Sequence, residues 1–228
     1  FTLAQHRERG FTRPIRYLPH FLPVVDTVVD SAGLTESSLP SPVRPYFLFV
    51  GRLTRLKGVQ TLLDVFRRFD ATDLIVAGHG DHSDELRHQA ADLPHVRFIG
   101  QRHPDELRSL YAGAIALIVP SVGYEVFGLV VLEAFAQRTP VIVRDLGALP
   151  EPVRESGAGF TFQDSNALLE AMHALAANPG LRQELGERGY QAYLRRWSDD
   201  AHLTMYFDAI AEAGERRHAR LSAGDLVG

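Results

Sequence analysis

Two glutamates and two cations carry the chemistry that this sequence offers. Glu125 follows an apolar run, Ile115 to Val119, that reads as a buried strand. It stands just before an apolar helical segment opening at Leu129. Glu133 lies about two helical turns beyond that start. Both acids therefore sit near a helix N-terminus at the carboxyl end of a strand, where open α/β sheets bind ligands. Such a terminus favours anions through its free N–H groups and its dipole. Carboxylates beside an anion site repel the anion unless they accept hydrogen bonds from hydroxyls of the same ligand. A ligand with a diphosphate and several hydroxyls, such as a nucleotide sugar, meets both demands.

The cations come from Gly51-Arg52-Leu53-Thr54-Arg55-Leu56-Lys57-Gly58, directly after the first strand. Lys57 is the one lysine among 24 basic residues. A bias toward arginine explains the arginines but not why this lysine stays. Lysine places a compact ammonium charge on a flexible stem, and phosphate sites use such a point charge. Arg52 and Lys57 together would neutralise a diphosphate without a metal. On spacing alone, a solvated basic loop ahead of a helix explains them equally well; the glutamates downstream favour the ligand. Glu133 lies in the run Leu129-Val130-Val131-Leu132-Glu133-Ala134-Phe135-Ala136, where a carboxylate is seldom buried without a partner.

Other signals are weaker. Gly78-His79-Gly80-Asp81 reads as a plain turn. Asp145-Leu146-Gly147-Ala148-Leu149-Pro150-Glu151 reads as a glycine-bearing turn with a helix start, or as a sugar contact. The ten histidines match no metal-ligand spacing, no Asp-x-Asp occurs, and no metal site is expected. Ser121 lacks the Gly-x-Ser-x-Gly setting of a hydrolase nucleophile.

These residues need a scaffold of alternating strands and helices. Strands are expected over 46–50, 73–77, 96–99, 115–119, 140–144 and 159–162. Helices are expected over 1–10, 59–68, 83–91, 104–112, 129–137, 149–155, 166–178, 181–197 and 199–217. The alternation implies βαβ units and a doubly wound parallel sheet, an α/β Rossmann-like fold. Residues 13–26, with Pro14, Pro19 and Pro23, read as an extended connector, and 31–45 as a loop.

Net charge is −4 with acids and bases mixed, so no nucleic-acid partner is expected. No apolar stretch approaches the roughly 20 residues that span a bilayer. The absence of cysteine suits a reducing compartment, and a cytoplasmic location is expected. The chain opens on Phe1 without a signal-peptide pattern and reads as a fragment or processed product.

Taken together, these residues resemble the retaining glycosyltransferases of family 4, which have the GT-B fold. Arg52 to Lys57 matches that family's Gly-Arg-Leu-x-x-x-Lys-Gly motif. Glu125 and Glu133 match its Glu-x7-Glu motif, and Thr139-Pro140-Val141-Ile142 matches the strand that follows. The likeness is strong over 46–197 and weaker at both ends. It departs at Val126, where glycine usually follows the first glutamate, and at Gly147-Ala148, where a glycine pair is common.

The resemblance implies the donor-binding half of a metal-independent enzyme that moves a sugar from a nucleotide diphosphate sugar to an acceptor hydroxyl with retention. Arg52 and Lys57 would grip the diphosphate and Glu133 the ribose hydroxyls. Glu125 would face the donor sugar, near the backbone N–H groups of Phe127, Gly128 and Leu129; Gly100, Gln101 and Arg102 would border the nucleobase. Arg52, Lys57 and Glu125 would be the catalytic residues, with no cofactor. Residues 1–45 would be the end of the N-terminal half and a linker, 46–198 the nucleotide-sugar-binding domain, and 199–228 a crossover helix and tail. The acceptor-binding half would be missing, and any membrane contact would run through it. This fragment alone is expected to be inactive, with apolar faces around 1–10 and Leu203, Phe207 and Ile210 left uncovered.

Other functions stay open. A sugar-nucleotide epimerase could share the fold. A glycosyl phosphorylase would need a pyridoxal-phosphate lysine, and Lys57 is already engaged. A non-catalytic nucleotide-sugar-binding or interaction module is the remaining alternative, although complete charged motifs speak against decay.

Overall fold

The computed structural model describes residues 1–24 and 44–224. Six strands, β1 (Tyr46–Val50), β2 (Asp73–Ala77), β3 (Val96–Gly100), β4 (Leu117–Val119), β5 (Val141–Arg144) and β6 (Gly159–Phe162), form one parallel sheet in the order β3-β2-β1-β4-β5-β6. The helices between them are α2 (Val59–Phe66), α3 (Ser83–Gln89), α4 (Pro104–Gly113), α5 (Leu129–Ala136) and α6 (Pro150–Ser156). A short helix α1 (Thr2–Glu8) precedes the sheet. After it come α7 (Ser165–Ala177), α8 (Pro179–Arg196) and α9 (Asp199–Gly224). This is the doubly wound α/β fold that the alternation implies.

Side chains of a strand point alternately to opposite faces, so each inner strand feeds two cores. In β1, Phe47 and Phe49 pack with Val59, Leu62, Leu63 and Phe66 of α2 on one face. Tyr46 and Leu48 pack with Leu132 and Phe135 of α5 on the other. Fully burying a side chain of this size contributes about 1.5–3 kcal/mol. That is why strands buried on both faces read as continuous apolar runs.

The boundaries differ from the sequence expectation for local reasons. β5 starts one residue late because Pro140 has no N–H to give the ladder, though its carbonyl accepts from Leu117 at 2.9 Å. Ile115 and Ala116 fall outside β4 but still bond to β1, through Ile115 N to Tyr46 O (2.8 Å) and Leu48 N to Ala116 O (3.0 Å). α8 starts two residues early. The Asn178 side chain caps it by accepting from Leu181 N, with Pro179 in its first turn.

The connector expected over 13–26 carries neither helix nor strand as far as it is described, and the loop expected over 31–45 lies, except for its last two residues, outside the described residues. Leu22 ties the connector to the end of α8: its N–H donates to Trp197 O at 2.9 Å, and its carbonyl accepts from the Tyr193 hydroxyl at 3.0 Å. Leu203, Phe207 and Ile210 of α9 are exposed, in line with the expected uncovered face.

Candidate functional site

The order β3-β2-β1-β4-β5-β6 reverses direction between β1 and β4. Chains leave these two neighbouring strands to opposite faces, and the crevice between their carboxyl ends is the ligand position of such sheets. The two loops there are stitched by backbone. The Leu56 carbonyl, in a 3-10 turn over Arg55–Lys57, accepts from Val122 N (2.8 Å) and Gly123 N (3.2 Å). Gly58 lies against Pro120: a Cβ at this position would come within 2.2 Å of the Pro120 carbonyl oxygen. The Arg144 guanidinium, at the end of β5, donates to that same oxygen at 3.1 Å. A third loop joins from β2. Leu53 N donates to His79 O and His82 N to Leu53 O, both at 3.0 Å. A Cβ on Gly78 would fall 1.9 Å from the Gly51 carbonyl oxygen. The segment read as a plain turn is thus packed backbone to backbone against the basic loop.

This stitching brings the two motifs together. Lys57 Nζ donates to Glu125 Oε1 at 2.5 Å, and the Ser121 hydroxyl donates to the same oxygen at 2.8 Å. The ammonium and the carboxylate are only partly exposed, at 34% and 20%, so bulk water screens them incompletely. Arg52, Lys57 and Glu125 line a cleft of about 990 Å³ together with Arg55, Asp81, His82, Glu85 and Tyr124. Arg52 and Arg55 are exposed and have no acidic partner among the described residues. Lys57 and Glu125 also border a second hollow of about 360 Å³, lined by Gly51, Ser121, Val126, Phe127, Gly128, Leu129 and His20. The pair therefore stands between a polar cleft and a smaller, more apolar one. Gly128 is the N-cap of α5 and no side chain caps that terminus, so its first N–H groups face no competing side-chain acceptor.

Glu133 lies elsewhere. It is partly buried on α5, lines neither hollow, and accepts a hydrogen bond from the Tyr111 hydroxyl of α4 at 2.6 Å. Burial, and then the charge of Glu133, push the Tyr111 phenol well above its usual range, so Tyr111 acts as a donor. Gly100 ends β3, two strands from the crevice, Gln101 and Arg102 follow it, and all three lie outside both hollows. Gly100 supports the site indirectly, since its carbonyl accepts from Gly78 N at 2.8 Å, while Arg102 pairs with Glu106 at 3.5 Å.

Sequence reasoning missed Ser121 as a partner of Glu125, and Asp81, His82, Glu85, Tyr124 and His20 as lining residues. Ser121 stands at the end of a strand four residues before Glu125, a position that could have flagged it. Among the described residues, no group of three or more His, Cys, Asp or Glu side chains could hold a metal ion, and no helix is long and apolar enough to cross a membrane.

Residues 35–192 match the model of the family described as glycosyl transferases group 1. A phosphatidyl-myo-inositol mannosyltransferase of Mycobacterium leprae is 35% identical over 179 residues, covering 74% of this chain and 48% of that protein. The chain thus spans about half the length of the curated relatives it matches. A sucrose-phosphate synthase from Thermosynechococcus elongatus superposes with a TM-score of 0.75 at 25% identity, covering 94% of this chain and 57% of that one. HepE of Anabaena, solved in complex with UDP, superposes with a TM-score of 0.68 at 20% identity, over 73% of this chain and 48% of that one.

Proposed function

The chain belongs to the glycosyl transferases group 1 family, and on that premise we propose that it is the donor-binding half of a retaining, metal-independent glycosyltransferase. Its ligand is a nucleotide diphosphate sugar. The observation that carries this is the meeting of Lys57 and Glu125 at the switch point, with Arg52 lining the same cleft. Two cations there can counter the charge that grows on a leaving diphosphate, preorganised in a partly dry crevice. The free N–H groups at the start of α5 add to that stabilisation. Glu125 orients the sugar beside them. Glu133 holds the ribose hydroxyls, with Tyr111 fixing one of its oxygens and leaving the other for the ligand. Gly100, Gln101 and Arg102 border the base.

A UDP complex of a structural neighbour supports a nucleotide ligand. The named activities of the relatives differ, so neither sugar nor acceptor carries over. The acceptor surface comes from residues outside this chain, which is in keeping with its covering about half of its relatives. A lone donor half binds its ligand weakly and transfers nothing, because nothing holds an acceptor in line with the donor carbon.

The ribose assignment has its own test. Removing both ribose hydroxyls from a nucleoside diphosphate should weaken binding to the parent chain about tenfold, the worth of a hydrogen bond to a charged group. In Glu133→Gln, where the Tyr111 hydroxyl keeps an acceptor, the ordinary and dideoxy ligands should bind alike. A dideoxy penalty of the same size in both proteins would remove Glu133 from the ribose.

A further inference from the structure

The Lys57–Glu125 contact has a cost for any anion that uses Lys57. Both donors to Glu125, the ammonium and the Ser121 hydroxyl, converge on Oε1, and no described residue donates to Oε2. An ammonium has three hydrogens, so a phosphate either shares it with the carboxylate or draws it away. Either way the contact to Glu125 is weakened, and the phosphate settles a few ångströms from a carboxylate that has lost part or all of its cation, in a crevice only partly open to water. Ser121 is buried, so its hydroxyl keeps the carboxylate in place after the ammonium leaves. Hydroxyl donors brought by the ligand itself then answer the uncompensated charge better than the water left in the crevice.

We infer that Glu125 competes with the diphosphate for Lys57, and thereby makes the site select an anion that carries hydroxyls beside its phosphates over a bare anion. This rests on the proposed donor site and adds to it a specificity device. A bare diphosphate exchanges one ion pair for another and leaves the carboxylate uncompensated. A diphosphate sugar offers hydroxyl hydrogens to the freed carboxylate. The sequence alone places Lys57 on the phosphates and Glu125 on the sugar as separate contacts, so that Glu125→Ala would spare a sugar-free ligand. The ion pair points the other way: loss of the Glu125 charge should tighten the sugar-free ligand.

Inorganic pyrophosphate, titrated calorimetrically into the 228-residue chain in the presence of a chelator, is the probe. Glu125→Gln keeps the side-chain shape and an acceptor for Ser121 while removing the charge. It should bind pyrophosphate about tenfold tighter than the parent, the effect of deleting one closely coupled charge pair. Glu125→Asp, which keeps the charge but draws it back by one methylene, should show a smaller gain, and circular dichroism confirms that each variant folds. Simple relief of repulsion would also raise affinity, and a Lys57→Met background separates the two causes. There the gain from Glu125→Gln should shrink to about threefold or less. Equal gains in both backgrounds, or no gain at all, would overturn the competition. If instead Lys57→Met has no effect on pyrophosphate binding in the Glu125→Gln background, where no ion pair offsets its loss, the diphosphate assignment of Lys57 fails with it.

Discussion

Lys57→Ala should weaken nucleoside diphosphate binding by roughly ten- to a hundredfold while leaving nucleoside binding unchanged. A charge-assisted hydrogen bond contributes about 1.5–3 kcal/mol, which sets that range. Two effects act in Lys57→Ala and partly offset each other. The ammonium is lost to the phosphates, but the ion pair with Glu125 that they would otherwise have to break is lost with it. Arg52→Ala removes a cation with no acidic partner among the described residues, so nothing offsets its loss and the weakening should be at least as large. Calorimetric titration of both variants with a nucleoside and its diphosphate checks this. Equal losses for the two ligands would show that the cations support the loop and do not touch phosphate.

The second large effect is on stability. Gly58 has φ +75°, in the left-handed region, and its position for a Cβ is filled by the Pro120 carbonyl oxygen at 2.2 Å. That oxygen is held in place, because Arg144 donates to it and Pro120 directly follows a central strand. Gly58→Ala therefore combines left-handed strain of about 1–2 kcal/mol with overpacking of about 1–3 kcal/mol. A loss of about 2–5 kcal/mol in denaturant unfolding is expected. Gly10→Ala is the comparison. Its φ is +84° but no atom lies within 4 Å of its Cβ position, so it should show the strain without the clash, and a smaller loss. Similar losses at both positions would mean that the loop after β4 yields, and that the two loops are not locked together.

The fold was legible because its strands are buried on both faces. Phe47 to Val50 and Leu74 to Ala77 have no polar side to blur their pattern, and the first is followed by a helix with apolar residues at helical spacing. Glu133 was legible as a candidate for a related reason, standing out only because its neighbours Val131, Leu132, Ala134 and Phe135 are apolar and buried; that it lines neither hollow was not. What the sequence hid are contacts between loops. Lys57 and Glu125 are 68 residues apart, and nothing in either segment announces that Leu56 O would collect Val122 N and Gly123 N. Gly78 looked like an ordinary turn because the carbonyl it must avoid, that of Gly51, arrives through strand order. The Tyr111 hydroxyl was hidden in the same way: its partner Glu133 is on the next helix, and no spacing rule links them.

The central claim is that this chain holds a diphosphate at the β1–β4 crevice without a metal. The most direct measurement is a calorimetric titration of the whole 228-residue chain, with a chelator present, against nucleoside, nucleoside diphosphate and nucleoside diphosphate sugar in the uridine, guanosine and adenosine series. In at least one series the diphosphate and the diphosphate sugar should bind at least about tenfold tighter than the nucleoside, the least that one charge-assisted phosphate contact provides. The chelator should not change that ratio. Binding that fails to distinguish the diphosphate from the nucleoside in every series, or that disappears in the chelator, would contradict the claim.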